Sequence, residues 1–220
     1  MTPSRGLPRA FEAVVAGVAL VVLSPLLAAI ALAVAFGSRG GALFRQTRIG
    51  RGGEPFILYK FRTMRAGDGP RFTAGGDPRV TPLGRRLRRS KLDELPELWN
   101  VLAGDMSLVG LRPEVPEYVD LGDPLWRRAL AVRPGLTSLV ALRLRDEETL
   151  LAEVGDDERL RFYTEVLVPY KLRGHVAYLE RRTAWSDLAV IGRTLLTFIW
   201  APRRPPSREE IERPDRNVEE

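Results

Sequence analysis

A run of 24 residues without a charged side chain, from Ala13 to Phe36, limits what this chain can fold into more than any other feature of the sequence. As one α-helix, rising about 1.5 Å per residue, the run is long enough to cross a bilayer core of roughly 30 Å. A cleaved signal peptide fits poorly, because the run is too long and passes directly into basic sequence at Arg39. The sequence therefore predicts a membrane-associated segment near its N-terminus.

Two features of this run argue against a simple crossing. Basic residues, among them Arg9 and Arg39, flank both ends, so both ends favour the cytoplasm, which one crossing cannot satisfy. At the midpoint Pro25 removes a helical N–H and disfavours helical geometry at Ser24, whose hydroxyl can bond to a carbonyl freed nearby. The residues alone leave two alternatives open: a re-entrant hairpin with both ends on one side, and a spanning helix with a kink.

Positive charge is concentrated directly after the apolar run. Residues 38–91 contain 14 Lys or Arg against three acidic residues, a net charge of +11, whereas the whole chain carries +6. Such a block favours an anionic partner: phospholipid headgroups, a phosphorylated substrate or nucleic acid. Phe72 is the one aromatic residue between residues 62 and 91, which argues against the stacking platforms of single-strand nucleic-acid binders. Nucleic acid is therefore not an expected partner.

The composition excludes several kinds of chemistry. The chain has no cysteine, so thiolate zinc sites, iron–sulfur clusters, disulfides and cysteine nucleophiles are ruled out. Its single histidine, His175, argues against a Ser-His-Asp hydrolase or a multi-histidine metal site. Any chemistry must then come from carboxylates, arginines, hydroxyls, the backbone and a hard metal ion.

Apolar patterning predicts a helix-rich α+β body over residues 41–200, without a doubly wound sheet. Strands are predicted at 56–59 and 108–109, and helices at 95–102, 147–154, 159–172 and 176–182. The stretch from Leu188 to Trp200 is too short to span a membrane, and two alternatives stay open for it: an amphipathic helix in the interface, and a core helix. Residues 201–220 are rich in charge and proline, which predicts a disordered tail.

The adjacent carboxylates Asp93 and Glu94 are the main candidates for chemistry. They follow an arginine-rich run and precede Pro96, which has no N–H and suits the first turn of a helix. The pair is therefore predicted at or just before a helix N-terminus, where free N–H groups favour anions and a phosphate with Mg²⁺ can be held. A purely structural alternative is a capping box, since Ser90 and Asp93 have its spacing.

Several motifs follow one another along the chain: Lys60-Phe-Arg62-Thr-Met64, Asp77-x-Arg-x-Thr81, Leu92 to Leu102, Gly104 to Gly110, Arg112-Pro113 and Arg133 to Thr137. In this order they strongly resemble the bacterial sugar transferase family of monotopic phosphoglycosyl transferases. The resemblance extends from Ser24-Pro25 to about Leu196. Enzymes of that family move a sugar-1-phosphate from a nucleoside diphosphate sugar to undecaprenyl phosphate and release UMP.

The resemblance implies a role for individual residues. Asp93 would be the nucleophile, forming an aspartyl phosphosugar intermediate, and a ligand of Mg²⁺, with Glu94 as its partner. The side chains around the phosphates would be Lys60, Arg62, Arg88, Arg112 and Arg145. Ser24 and Pro25 would break a re-entrant membrane helix.

The resemblance also implies an organisation and a location. Residues 1–40 would form the helix-break-helix anchor, and residues 41–200 a small globular catalytic domain at the cytoplasmic face of the bacterial inner membrane. The expected partners are a UDP-sugar, undecaprenyl phosphate and membrane phospholipids; the oligomeric state, a homodimer included, is open. The competing hypothesis is a membrane-anchored basic module that binds lipid or nucleic acid without turnover.

The chain departs from the family pattern in places that bear on substrate identity. Lys91 replaces a small hydroxyl residue, residues 138–146 lack the usual polar groups apart from Arg145, and His175 stands where an acid is common. These changes leave the sugar and the glycoconjugate pathway (exopolysaccharide, O-antigen or glycoprotein glycan) unassigned. The carboxylate pair itself is intact.

Overall fold

The computed structural model describes residues 6–37, 40–65, 76–197 and 208–212. Its α-helices are α1 Arg9–Val22, α2 Ser24–Gly37, α3 Pro82–Arg89, α4 Glu97–Ala103, α5 Pro124–Ala129, α6 Leu139–Arg143, α7 Glu147–Ala152, α8 Asp156–Phe162, α9 Val168–Arg181, α10 Ala184–Leu196 and α11 Arg208–Glu212. Its strands are β1 Leu43–Ile49, β2 Pro55–Phe61, β3 Ser107–Val109 and β4 Gly135–Thr137. Helix exceeds strand, as predicted for a helix-rich α+β chain.

The apolar run is broken where the sequence predicts it. Helices α1 and α2 meet at a bend of 63°, so no single helix in the described residues has the length and apolarity for a membrane crossing, although this bent pair together does. Pro25 has no N–H to donate to the carbonyl of Val21, and the Ser24 hydroxyl donates to that carbonyl instead, at 2.7 Å. The hydroxyl thus satisfies the backbone group that the proline leaves free.

The bent helix pair packs on the body along one face. Ala16 of α1 joins Leu98 and Val101 of α4 in one apolar cluster, while Ile30 and Val34 of α2 join another with residues of β2 and α3. The remaining apolar surface is open: the exposed fraction reaches 64% at Val14, 74% at Val21, 60% at Leu32 and 90% at Phe36. Both helices therefore keep a large unpartnered apolar face.

Two polar contacts secure the start of α1. The Glu12 side chain is 2% exposed and accepts a hydrogen bond from the Leu108 N–H of β3 at 2.9 Å. The Arg9 guanidinium donates to the Leu102 carbonyl at the end of α4, at 2.8 Å. The bent pair is thus hydrogen-bonded to the elements that surround the carboxylate pair.

The strands form two small sheets within the described residues. β1 and β2 pair antiparallel from Leu43 opposite Phe61 to Ile49 opposite Pro55, and β3 pairs parallel with β4. Gly84 lets α3 lie against the end of β2, because a Cβ there would come within 2.1 Å of the Thr63 carbonyl oxygen. The close approach at Gly84 places α3 next to the end of β2.

Most predicted elements are present, with two corrections. The predicted strands fall within β2 and β3, and helix 95–102 corresponds to α4, which ends at Gly104 with a φ of 102°. The predicted separation between helices near residue 174 is wrong, because α9 is continuous from Val168 to Arg181; α8 leads into it through a π-helical turn, Tyr163–Leu167. In the tail, α11 is helical rather than disordered, since Ile211 is buried in the main core; the rest of the tail lies outside the described residues.

Candidate functional site

The site is assembled from consecutive elements around α4. A single 3-10 turn, Leu92–Glu94, carries the two carboxylates directly before α4, as the sequence predicts. β2 contributes Lys60, and the loop after β3 contributes Arg112. Asn100 of α4 connects that helix to β2. Its side-chain amide donates to the Ile57 carbonyl at 2.7 Å, and its side-chain oxygen accepts from the Tyr59 N–H at 3.2 Å. The amide therefore positions β2, and with it Lys60, against α4.

Glu94 is held by two cations. The Arg112 guanidinium donates to both of its oxygens, at 3.2 and 2.7 Å, and Lys60 Nζ lies 3.8 Å from Oε1. Burial by itself would raise the pKa of this carboxyl, but the charges of Arg112 and Lys60 outweigh it and hold the pKa well below the usual range. Glu94 is therefore ionised, and its oxygens are occupied.

Asp93 has a different environment from its neighbour. Its side chain is 6% exposed, and Oδ1 has no hydrogen-bond partner within the part of the chain that the structure describes. Burial, and next the negative charge of Glu94, raise the pKa of this carboxyl. The Ser90 hydroxyl donates to the Arg86 and Leu87 carbonyls, so the capping-box interpretation of Ser90 and Asp93 is wrong. Asp93 thus keeps a buried carboxylate oxygen that no described side chain contacts through a hydrogen bond.

Glu97 is a member of the cluster that the motif reasoning did not single out. It is fully buried, with Oε1 3.2 Å from Lys60 Nζ and 3.6 Å from an Arg112 nitrogen. Burial raises the pKa of Glu97, and the charge of Lys60 opposes this. The signal in the sequence is spacing: Glu97 follows Glu94 by three residues, which places both on one face of a helical turn.

Lys91 carries backbone strain beside the pair. Its φ of 55° is the one positive φ at a non-glycine residue within the described ranges. The left-handed conformation costs such a residue about 1 kcal/mol or more. It turns the chain sharply between α3 and the 3-10 turn that carries Asp93.

The other arginines that the resemblance implicates lie at different distances from this cluster. Arg88 of α3 donates to Glu148 at 3.0 Å, and its positive charge lowers the pKa of Asp93. Arg62 donates to the Gly41 and Leu43 carbonyls and lines an open pocket at the start of β1.

Arg145 donates to the Thr197 carbonyl at 2.8 Å and lines another pocket, beside α3. The structure thus brings Lys60, Asp93, Glu94 and Arg112 together, with Arg88 near. It does not place Arg62 and Arg145 in that cluster, and their phosphate contacts stay a prediction.

The residues present fit a magnesium ion held mainly by its substrate. The described ranges contain no group of three His, Cys, Asp or Glu side chains that could hold a metal. Within them, buried carboxylate oxygens without a hydrogen bond belong to Asp93 (Oδ1) and Glu97, and Glu97 is ion-paired with Lys60 and Arg112, whereas Oδ1 of Asp93 has no such contact. Because Mg²⁺ is commonly bound through one or two carboxylates plus substrate phosphates, Asp93 is the residue that would hold it.

Comparison with known families decides the classification of the chain. The model of the bacterial sugar transferase family matches residues 4–201. The chain belongs to the bacterial sugar transferase family. The match includes both α1 and α10, so the bent helix pair is part of the family domain and not an addition to it.

Three relatives show what this sugar transferase is similar to. A UDP-glucose:undecaprenyl-phosphate glucose-1-phosphate transferase of Caulobacter vibrioides is 39% identical over 87% of the chain. One of the same description from Escherichia coli is 35% identical over 86%, and a UDP-N-acetylgalactosamine-undecaprenyl-phosphate N-acetylgalactosaminephosphotransferase of Aeromonas hydrophila is 32% identical over 87%. The chain spans 69%, 39% and 43% of the length of these three relatives.

Proposed function

We propose that this chain transfers a sugar-1-phosphate from a UDP-sugar to undecaprenyl phosphate and releases UMP, the first membrane step of a glycoconjugate pathway. Sugar-1-phosphate transfer of this kind is what the names of its relatives describe. The observation that carries the mechanism is the contrast within one dipeptide. Glu94 is locked by Arg112, whereas Asp93 keeps a buried oxygen without a partner.

In the first half-reaction an Asp93 carboxylate oxygen attacks the phosphorus that carries the sugar. A bond forms between that oxygen and phosphorus, and the bond from phosphorus to the bridging oxygen breaks. UMP leaves with the bridging oxygen and its electron pair, and an aspartyl phosphosugar remains. The attacking carboxylate is already deprotonated, so no histidine base is needed.

In the second half-reaction a phosphate oxygen of undecaprenyl phosphate attacks the same phosphorus. The new phosphoanhydride forms as the bond to Asp93 breaks, and the carboxylate is regenerated. One phosphoanhydride replaces another, so the exchange needs no further energy source. The nucleophile in each step is an oxygen anion, which is consistent with a site made of carboxylates and cations.

The surrounding cations counter the charge that builds on the phosphoryl oxygens. Arg112 is one-third exposed at its side chain and fixes Glu94, so its guanidinium stands at the open side of the cluster. Lys60 sits behind it between Glu94 and Glu97. Magnesium, held by Asp93 and the substrate phosphates, would supply further neutralisation of negative charge when bound. Fixed charges of this kind stabilise a transition state without reorganising.

We assign the bent helix pair to a re-entrant insertion at the cytoplasmic face of the inner membrane. Its exposed apolar face, the 63° bend and the basic residues at both ends support this assignment. Helix α10 would lie in the interface: Val190 packs in the core, while Trp185 is 81% exposed and Leu195 and Leu196 are each 60% exposed.

Release of UMP from a panel of UDP-sugars, with Mg²⁺ and undecaprenyl phosphate, tests the proposed reaction. We expect UMP and a lipid-linked sugar diphosphate in equal amounts with one sugar of the panel. The Asp93→Asn variant, which keeps the shape of the side chain, is the matched control and should release none. Absence of UMP with every sugar, while lipid vesicles are still bound, would favour the module without turnover.

A further inference from the structure

A second group of basic side chains lines a pocket on the exposed face of α3. This arginine pocket has a volume of about 590 Å³, and the residues that line it are Pro82, Arg85, Arg86, Arg89, Ser90 and Arg145. Among these described lining residues none is acidic, so four guanidinium groups share one open cavity. Like charges brought together in this way favour an anionic ligand.

Helix α3 fixes the position of the arginine pocket relative to the bent helix pair. Leu83 and Leu87 of α3 pack with Ile30 and Val34 of α2, so α3 lies directly on the second arm of that pair. The Thr81 hydroxyl caps α3 by accepting from the Gly84 N–H at 2.9 Å. Because its apolar side is turned to α2, the helix presents its arginines on the opposite, exposed side.

Exposed apolar side chains lie close to the arginine pocket where Arg145 lines it. Arg145 donates at 2.8 Å to the carbonyl of Thr197, the residue directly after α10, and Leu195 and Leu196 at the end of α10 are each 60% exposed. A ligand with an anionic head and an apolar tail satisfies both kinds of surface, whereas a free phosphate ion satisfies only one.

We propose that the arginine pocket binds the phosphate headgroup of an anionic membrane phospholipid. The proposal rests on the insertion of α1 and α2 assigned above. Guanidinium forks match phosphate oxygens in pairs, and a bound headgroup relieves the repulsion among Arg85, Arg86 and Arg89 of α3. Arg88, the α3 residue whose charge acts on Asp93, faces Thr63 and Met64 instead of this pocket. The headgroup is therefore held apart from the attacking carboxylate, and the occupant is a structural phospholipid, not the acceptor.

Counting bound lipids by native mass spectrometry on the full chain in detergent tests the proposal. Phosphatidylglycerol is the probe, and phosphatidylcholine, inorganic phosphate and undecaprenyl phosphate are the comparison ligands. We expect the triple variant Arg85→Gln, Arg86→Gln, Arg89→Gln to bind phosphatidylglycerol roughly 100-fold more weakly, since each surface arginine contributes about fivefold to binding anionic lipid.

The matched control removes the same charge elsewhere. Arg127, Arg161 and Arg181 are exposed on α5, α8 and α9, and their triple glutamine variant should bind phosphatidylglycerol as the unmodified chain does. The triple lysine variant at positions 85, 86 and 89 keeps the charge and should retain much of the binding. Binding by the lysine variant would show that these positions tolerate substitution. An unchanged thermal unfolding midpoint of the glutamine variant would show that its loss of binding does not come from loss of the fold.

Three results would overturn the proposal. If both triple glutamine variants lost phosphatidylglycerol binding equally, the lipid would be attracted by the net charge of the protein alone. Displacement of phosphatidylglycerol by millimolar inorganic phosphate would show a free-phosphate site, and tighter arginine-dependent binding of undecaprenyl phosphate would assign the pocket to the acceptor. Binding is read without turnover, so Asp93→Asn should keep it. Failure of the proposed reaction would thus leave this result unchanged.

Discussion

Asp93 and Glu94 are adjacent in the chain, yet their surroundings separate them chemically. Arg112 and Lys60 hold the pKa of Glu94 low and take up its oxygens, whereas burial and the neighbouring charge raise the pKa of Asp93. A raised pKa in a carboxylate makes its ionised form a stronger base and a better nucleophile. The proposed division of roles within the pair follows from which of the two carboxylates Arg112 contacts.

Replacement of Arg112 by lysine tests that contact. Lysine keeps the charge but cannot bond both oxygens of Glu94, so the carboxylate loses its fixed orientation. We expect a loss of about 2 kcal/mol or more of transition-state stabilisation, or roughly thirtyfold in kcat/KM. Arg127→Lys, at an exposed position on α5, is the control and should be silent. Equal small effects at both positions would contradict a catalytic role for Arg112.

Asp93→Asn should stabilise the fold while abolishing turnover. The pKa of Asp93 is raised on folding, so its ionised form destabilises the folded state at neutral pH. Removing a buried charge whose oxygen lacks a partner should stabilise the protein by about 1 kcal/mol or more. The destabilisation is complete above the folded-state pKa and vanishes below the ordinary pKa of an aspartate, about 4.

Urea unfolding of both proteins in EDTA, from pH 7 down to pH 4, measures this difference. The stability advantage of Asp93→Asn should be present at pH 7 and shrink as the pH falls. An advantage that grows toward acid pH would show that Asp93 is stabilised as a carboxylate, contrary to its buried, unpartnered oxygen.

At the scale of elements, local sequence signals predicted the framework of the site. The Ser24-Pro25 break, strand β2 and the turn before α4 all follow from proline chemistry and apolar alternation. Contacts distant in sequence could not be predicted in this way. Glu12, an acid directly before the apolar run, is buried against β3.

The helix boundaries that were missed have the same cause. Leu172 and Val176, on either side of the predicted break in α9, are buried in the largest hydrophobic cluster, and so is Ile211 of the tail. Neither burial leaves a local pattern, because each is made with residues far along the chain.

The topology of the bent pair is a prediction at this scale. With Arg5→Cys or Gly40→Cys in a chain that has no other cysteine, both positions should be labelled only from the cytoplasmic side. Pro25→Ala restores a backbone N–H at position 25 that can donate to the Val21 carbonyl, so a continuous helix becomes possible and part of the population should cross the membrane. Labelling of either position from outside in the unmodified sequence would contradict the re-entrant hairpin.

At the scale of the whole molecule, the bent pair and the cluster around Asp93 and Glu94 form one connected unit. Arg9 and Glu12 bond α1 to the end of α4 and to β3, and α3 lies between α2 and the cluster. The sequence predicted both parts but not their connection, because it consists of long-range contacts. The site residues predicted from the resemblance divide accordingly: those near α4 come together, while Arg62 and Arg145 lie in pockets toward the bent pair and α10.

The covalent intermediate is the central claim, and a single-turnover experiment without acceptor tests it most directly. Enzyme given a UDP-sugar and Mg²⁺ alone should release about one equivalent of UMP and stop, as a covalent two-step mechanism requires. Mass spectrometry should find a sugar phosphate on Asp93 that hydroxylamine removes and undecaprenyl phosphate discharges; Asp93→Asn should give neither UMP nor adduct. UMP that appears only when both substrates are present, or a full rate with Asp93→Asn, would contradict the account and show direct in-line transfer.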